Sequence, residues 1–347
     1  MNVRIRPVDF ASDRERLTAV LQRNLGDLDH ARRFQWLYQK NPAGRAWSWF
    51  AYESKSDNVV GVASLIPRDV WMAGHIVRCG QVGDFAIDSG FRSLGPALML
   101  QKATFGPVNS GHLSFCYDCP PHAAGMSTFQ RLGMKPVCRL ERFVRLLRLD
   151  RIFAQKIGPG ILSKTLALAG NSALPYLFTA RVSKSVQIKV LTTPFDEEFT
   201  RLDKELRAFN TTVQYCRSAA DLNWRFREDP LRRYEVLTAR EHGSLQGFLV
   251  FFRAGKDISI VDIFARPAQG VVEALVGALI KQVRNESIES LQFSVSERHP
   301  HRVALMNSGF RVRSVAAAVV VYSGAASDRA SKLPPESWAL THADAMA

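Results

Sequence analysis

The stretch with the most chemistry in its order is Gly83-Asp84-Phe85-Ala86-Ile87-Asp88-Ser89-Gly90-Phe91-Arg92-Ser93-Leu94-Gly95-Pro96-Ala97. A half-buried strand pattern runs to Ile87, a loop follows, and a helical pattern opens near Gly95 to Ala97. The first turn of a helix presents N–H groups without intrahelical partners at the positive end of the dipole, so this junction is a ready anion site, and a pyrophosphate is its natural occupant. Gly95 permits close backbone approach, Pro96 suits the first turn because its missing N–H is expendable, and Ala97 keeps the helix start accessible. Asp84 precedes the loop on the strand and is either a general base or a hydrogen-bonded support for the loop. Tyr117, Cys119 and His122 end the next strand-like run, 113–117, and could line the reacting end of the same site, although strand-end side chains of these types are more often structural.

The pattern Arg92-x-x-Gly95-x-Ala97, after a strand and opening a helix, resembles the (Gln/Arg)-x-x-Gly-x-(Gly/Ala) signature of GNAT acetyltransferases. The run 129–134 is similar to the same family's terminal helix, and the resemblance extends over most of residues 1–150. It implies an α+β fold with a mixed, mostly antiparallel sheet flanked by helices, and acetyl-CoA or another acyl-CoA as co-substrate with no metal. Carried over residue by residue, it implies that Arg92, Ser93, Leu94, Gly95 and Ala97 hold the CoA pyrophosphate. The backbone of Phe85, Ala86 and Ile87 would pair with the pantetheine arm like an added strand, and amides near Phe85 would stabilise the oxyanion. An amine would attack the thioester directly, with Asp84 as base and Tyr117 as a second catalytic candidate. One departure stands out: the tyrosine that often protonates the CoA thiolate in this family falls at Phe129, which has no hydroxyl, so water or another group must serve.

The elements that position these residues occur twice. Trp36-Leu-Tyr38-Gln-Lys-Asn41-Pro42 returns as Trp224-Arg-Phe226-Arg-Glu-Asp229-Pro230. Each copy is followed by two β-rich runs, 47–53 and 59–66 in the first, 234–239 and 245–252 in the second, with Gly61 and Gly247 at matching places. Each half closes on a helical segment with a glycine stop, Gly133 or Gly309. The expected organisation is a first domain over 1–150, a helical basic linker over 151–185, a degenerate second copy over 186–323 and a tail over 324–347. In the second copy the run after the matching strand, Arg266-Pro267-Ala268-Gln269-Gly270, lacks the phosphate-loop pattern, and Met306 stands where the acid tyrosine would be. Trp36 and Tyr38, on a helix that borders the acceptor groove in this fold, have counterparts in Trp224 and Phe226, which favours core packing for all four. The tail is polar, but its Trp338-x-Leu340-Thr341-x-x-Asp344 resembles the ending of some tandem GNAT-like proteins, so Trp338 is expected to dock.

The chain has 347 residues, 46% of them apolar, which is ample for two cores. No apolar run approaches the roughly 20 residues needed to span a bilayer, and the expected location is the cytoplasm. Five cysteines at irregular spacing do not make a disulfide framework, and Cys116-x-x-Cys119 without a second pair is a weak metal or redox signal. The formal charge is +14, and 131–185 alone holds eleven Lys/Arg against Glu141 and Asp150. Such a stretch fits a solvated face, a membrane surface or nucleic acid. A resemblance to tandem GNAT-like proteins of the Fem type would make aminoacyl-tRNA the donor, with the basic stretch on its phosphates; a third reading is a CoA-binding module without catalysis. Retention of the phosphate loop favours acyl-CoA and a small-molecule amine or amino-sugar acceptor. The alternation over 136–149 reads as a strand whose arginines guard a sheet edge.

Overall fold

The computed structural model describes residues 3–26, 28–120, 123–173, 185–208, 212–267, 270–324 and 329–345. The first half runs β1 (Val3–Pro7), α1 (Arg14–Asn24), α2 (His30–Phe34), a π-helical turn over Gln35–Gln39, β2 (Trp47–Glu53), β3 (Val59–Met72), β4 (His75–Ile87), α3 (Leu94–Thr104), α4 (Gly106–Asn109), β5 (Cys116–Asp118), α5 (Ala123–Arg131) and β6 (Pro136–Leu146). A helical hairpin, α6 (Asp150–Ile157) and α7 (Ile161–Ala173), follows. The second half runs β7 (Val186–Val190), α8 (Glu197–Ala208), β8 (Gln214–Tyr215), α9 (Ala219–Phe226), β9 (Glu235–Glu241), β10 (Ser244–Ala254), β11 (Asp257–Ala265), α10 (Val271–Val283), β12 (Ser290–Ser296), α11 (Arg302–Asn307) and β13 (Arg311–Tyr322), and the tail ends in α12 (His342–Ala345).

Among the described residues these strands form one sheet in the order β1-β2-β3-β4-β5-β13-β6-β12-β11-β10-β9-β7, with β8 added on β3. The order is a palindrome. Reading inward from either end gives the same series of elements, and the last strand of each half crosses over to the other. Thus β13 pairs with β5, Val320 opposite Asp118, and β6 pairs with β12 from Leu146 opposite Ser290 to Leu140 opposite Ser296. Only β4–β5 and β11–β12 are parallel among the pairs described. β6 therefore lies at the centre of the sheet, and the expectation that its arginines guard an edge is corrected. Arg145 is buried and donates to the Ser308 carbonyl, while Arg142 reaches Ser314 Oγ at 3.3 Å. Alternation identifies a strand, but its neighbours are set by pairing with residues more than 140 positions away, which alternation does not encode.

The repeated motif explains how the halves meet. Trp36 and Trp224 stack with ring centroids 5.2 Å apart, and each indole N–H donates to the other's backbone carbonyl, at 2.6 Å from Trp36 and 2.9 Å from Trp224. A stacked pair satisfying its own polar atoms can be buried at little cost. Asn41 and Asp229 close the same side-chain turn, accepting from the amides of Ala43 (3.0 Å) and Leu231 (2.8 Å). Trp224 packs into the core of the first half with Phe34, Leu37, Tyr38 and Phe50. Helix α10, apolar nearly all round, is enclosed against Leu249, Ile260 and Phe293.

Candidate functional site

Strands β4 and β5 run parallel only at Gly80–Cys116 and Gln81–Tyr117. Past that point they separate: β5 ends at Asp118, while β4 continues to Ile87 with β3 on its other side. The register of β3 against β4 jumps from Ser64–Gly83 to Val62–Ala86, so Asp84 and Phe85 together oppose Ala63. This is a β-bulge, which bends the strand and re-aims its side chains and amides. The result is a fork whose β4 edge, 82–87, has no strand partner on the β5 side among the described residues. Gly61, opposite Ile87, permits this approach, because a Cβ there would meet the Ala86 carbonyl at 3.0 Å and Leu100 at 3.1 Å.

Asp84 makes the bulge. Its φ is +47°, a left-handed conformation that costs a non-glycine residue about 1–2 kcal/mol and that Asp tolerates better than most. The side chain is 6% exposed, and its two oxygens accept from the Arg33 guanidinium and the Tyr38 hydroxyl. Burial works against the Arg33 charge, but the Asp84 carboxylate more than offsets this and raises Arg33 above its ordinary value. Burial, then the Asp84 charge, pushes the Tyr38 phenol well up, so it stays a proton donor. The sequence reading missed Arg33. The available signal was its place on the apolar face of its helix, four residues before Leu37 and beside Phe34 and Tyr38. Deeper on the same face Arg68 donates to Gln81 Oε1 at 3.1 and 3.2 Å and lies 4.7 Å from the Trp224 ring; burial and Arg225 lower it to about 10.

The fork opens beside the start of α3. Ser93, the residue before this helix, is extended and makes no side-chain cap, and the first turn has no acidic residue. Gly95 is exposed, and a Cβ placed on it would find nothing within 4 Å. Pro96 has no N–H, and the amides of Ser93 and Ala97 donate to the Phe91 and Ser93 carbonyls at 2.6 and 3.4 Å, which leaves those of Leu94 and Gly95 for a ligand. Arg92 is exposed and folds back, Nε donating to the Ile87 carbonyl at 2.9 Å and Nη2 to Asn24 at 3.3 Å. Phe85 and Ala97 each pack against the cluster that contains Ile87 and Leu100. The sequence-derived residues 85–87 and 92–97 thus meet along one edge and one helix start.

The end of β5 is arranged differently from expectation in its details. Tyr117 is buried, and its hydroxyl donates 2.8 Å to the backbone carbonyl of Asp344, which engages it with the tail. Burial pushes the thiols of Cys116 and Cys119 up, which removes thiolate character at neutral pH. His122 lies outside the described residues. Phe129 is buried in α5. Asp118, which the sequence reading passed over, is partly buried at the point where β4 leaves β5, with the Cys119 amide as its hydrogen-bond partner; burial pushes its carboxyl up to about 7.

The matching place in the second half is closed. β11 pairs with β12 from Asp257–Ser290 to Ile260–Phe293 and carries its own bulge, at Val261. Beyond Phe293, β12 keeps β6 on one side through Ser296, so its contacts with the tail are on the side β11 has left. There Val295 bridges Thr341, and the Ser296 amide donates to the Leu340 carbonyl at 2.9 Å. The Trp338 indole, 1% exposed, anchors the start of this segment on Phe115 of the first half, and Asp344 is buried at its other end. Arg217 grips Asp262 of β11 at 2.7 and 2.9 Å and lies 3.6 Å from Asp344, as does Arg225. Val271 and Val272 bury the start of α10, after Gly270 at φ +90°.

No family model and no curated protein matches the sequence. Solved structures do. A conserved protein of unknown function from Enterococcus faecalis V583, titled a probable N-acyltransferase, matches with TM-score 0.62 at 10% identity over 92% of this chain and 72% of its own. A GCN5-related N-acetyltransferase from Anabaena variabilis ATCC 29413 matches with TM-score 0.62 at 12% identity over 92% and 72%. One from Kribbella flavida matches with TM-score 0.59 at 13% identity over 92% and 71%. At such identities the likeness shows the fold: an α+β, GNAT-type architecture with a large, mostly antiparallel sheet flanked by helices.

Proposed function

We propose that this chain is an acyl-CoA-dependent N-acyltransferase that acylates an amine of a small molecule or amino sugar, with one site, in the β4–β5 fork. The observation that carries the reading is the meeting of an open β4 edge with the uncapped, glycine-bearing start of α3. The amides of Leu94 and Gly95, with Arg92, Ser93 and Ala97 around them, would hold the pyrophosphate, and the edge at Phe85 to Ile87 would pair with the pantetheine arm. In this reading the chain is a tandem of two GNAT-type copies, 1–150 and 186–323, and the second has lost its site.

The chemistry is direct attack. The amine nitrogen bonds to the thioester carbonyl carbon, amides near Phe85 donate to the oxyanion, the C–S bond breaks and the ammonium proton passes to water. Asp84, whose oxygens already accept from Arg33 and Tyr38, serves chiefly to hold the bulge that aims those amides. Tyr117, bonded to the tail, secures the floor of the fork. Asp118 supplies the proton to the leaving thiolate in place of the missing hydroxyl at Phe129; a carboxyl titrating near 7 donates readily to a more basic sulfur.

The test is thiol release from acetyl-CoA with a panel of amines and amino sugars. Turnover with at least one amine, losing its high-pH decline in Asp118→Asn, supports the reading. No thiol release from any acyl-CoA, or transfer from aminoacyl-tRNA instead, overturns it.

A further inference from the structure

The hairpin of α6 and α7 is built the wrong way round for water. α7 turns its small and polar side chains inward: Ser163 and Ala167 are buried, and Asn171 accepts from the Leu149 amide at 2.7 Å and donates to Asp150 at 2.9 Å. Its aliphatic side chains face out. Ile161 is 86% exposed, Leu168 70%, Leu162 66% and Leu166 41%, and Ile157 at the end of α6 adds 49%. At about 100° per residue, Ile161, Leu162, Leu166 and Leu168 fall within an arc of about 160° on one side of the helix. A water-facing helix normally shows the reverse pattern.

The charge pattern says what would cover this face. From position 151 to 195 the sequence has Arg151, Lys156, Lys164, Arg181, Lys184 and Lys189 and no Asp or Glu. Lys156 and Lys164 are exposed on the hairpin itself. The hairpin's one acid, Asp150 at the start of α6, is held by Arg148 at 3.0 Å and by Asn171, and an apolar arc whose flanking charges are otherwise cations matches the headgroup–acyl boundary of an anionic bilayer. The thirteen residues of α7 are too few to span a membrane of about 20 helical residues, so the helix would lie in the surface. No helix among the described residues is long and apolar enough to cross.

We propose that the α6–α7 hairpin docks this protein on an anionic phospholipid surface, with Ile161, Leu162 and Leu168 among the acyl chains and Lys156 and Lys164 at the phosphates. The inference stands apart from the acyl-transfer reading, and its test uses no CoA. The full chain is sedimented with vesicles of phosphatidylcholine alone or mixed with phosphatidylglycerol, and its size is measured without lipid. Wild type should bind the mixed vesicles and not the neutral ones. Ile161→Ser/Leu162→Ser/Leu168→Ser and, separately, Lys156→Gln/Lys164→Gln should each lower the bound fraction about tenfold. All five side chains are exposed, so melting temperatures should not change. Absence of binding to mixed vesicles, or equal binding by the triple variant, overturns the proposal. So does a wild-type dimer that the triple variant converts to monomer, since that assigns the face to a second copy.

Discussion

At the fork between β4 and β5 the edge from Val82 to Ile87 has no strand partner among the described residues, whereas the equivalent gap between β11 and β12 holds the chain's own tail through Leu340, Thr341 and Asp344. Both gaps arise in the same way, from a bulge in the inner strand after a short parallel pairing. What differs is the filling. In the first half a left-handed aspartate pins the bulge, and α3 starts uncapped beside it. In the second, Arg217 holds Asp262 beside the bulge, the tail pairs with β12 at Val295 and Ser296, and α10 starts with two buried valines. A parted pair of strands makes a groove whose backbone groups can be met by an extended ligand, by a piece of protein or by water.

The comparison can be broken from the second half first. Trp338→Ala should cost about 3–5 kcal/mol by emptying a fully buried indole site against Phe115 and Val70 of the first half, which anchors the segment that enters the gap, read as a shift in denaturant midpoint. If the unfolding midpoint is unchanged, Trp338 does not anchor the tail. Asp84→Ala should cost about 3 kcal/mol by leaving the Arg33 charge buried and unpaired, and it should weaken acyl-CoA binding as the bulge relaxes. A variant as stable as wild type would show that Asp84 does not pin the bulge.

Acid should loosen the tail. Burial holds His301 and His342 down to about 4, against an ordinary 6.5. The unfolded chain therefore takes up protons that the folded chain refuses. The stability these residues contribute is full above about pH 6.5 and falls, by about 1 kcal/mol per pH unit per histidine, as pH drops toward 4. Unfolding curves across that range should steepen in pH dependence for wild type and flatten for His342→Gln; identical slopes would remove His342 from the account. The smallest effect sharpens the contrast between helix starts. Gly270→Ala forces a left-handed alanine and should cost about 1 kcal/mol, while Gly95→Ala, with open space and no positive φ, should cost less.

Much of the local structure was legible. β2 begins and ends where the apolar run does, and the glycine stops at Gly133 and Gly309 take positive φ. The strand end, loop and helix start over 83–97 could be read because strand, glycine and helix start lie within fifteen positions. The exchange of β6 and β13 could not, because the pattern of a strand names its faces and not its neighbours. Asp118 was missed for a related reason: its raised carboxyl depends on what surrounds the strand end, and nothing adjacent in sequence reports that. The tail's polar composition does not report its docking, but the pattern from Trp338 to Asp344 does, and the sites that bury these two residues lie more than a hundred positions earlier, at Phe115 and Arg217.

The central claim is that the chain has one acyl-CoA site and that it lies in the first fork. Calorimetric titration with acetyl-CoA tests it most directly, on wild type, Gly95→Asp and Gly270→Asp. The account predicts one equivalent per chain for wild type and for Gly270→Asp. It predicts binding about a hundredfold weaker for Gly95→Asp, whose carboxylate meets the pyrophosphate, with no loss of melting temperature because an acid at a helix start is favourable. Two equivalents per chain, or undiminished binding by Gly95→Asp, would contradict it.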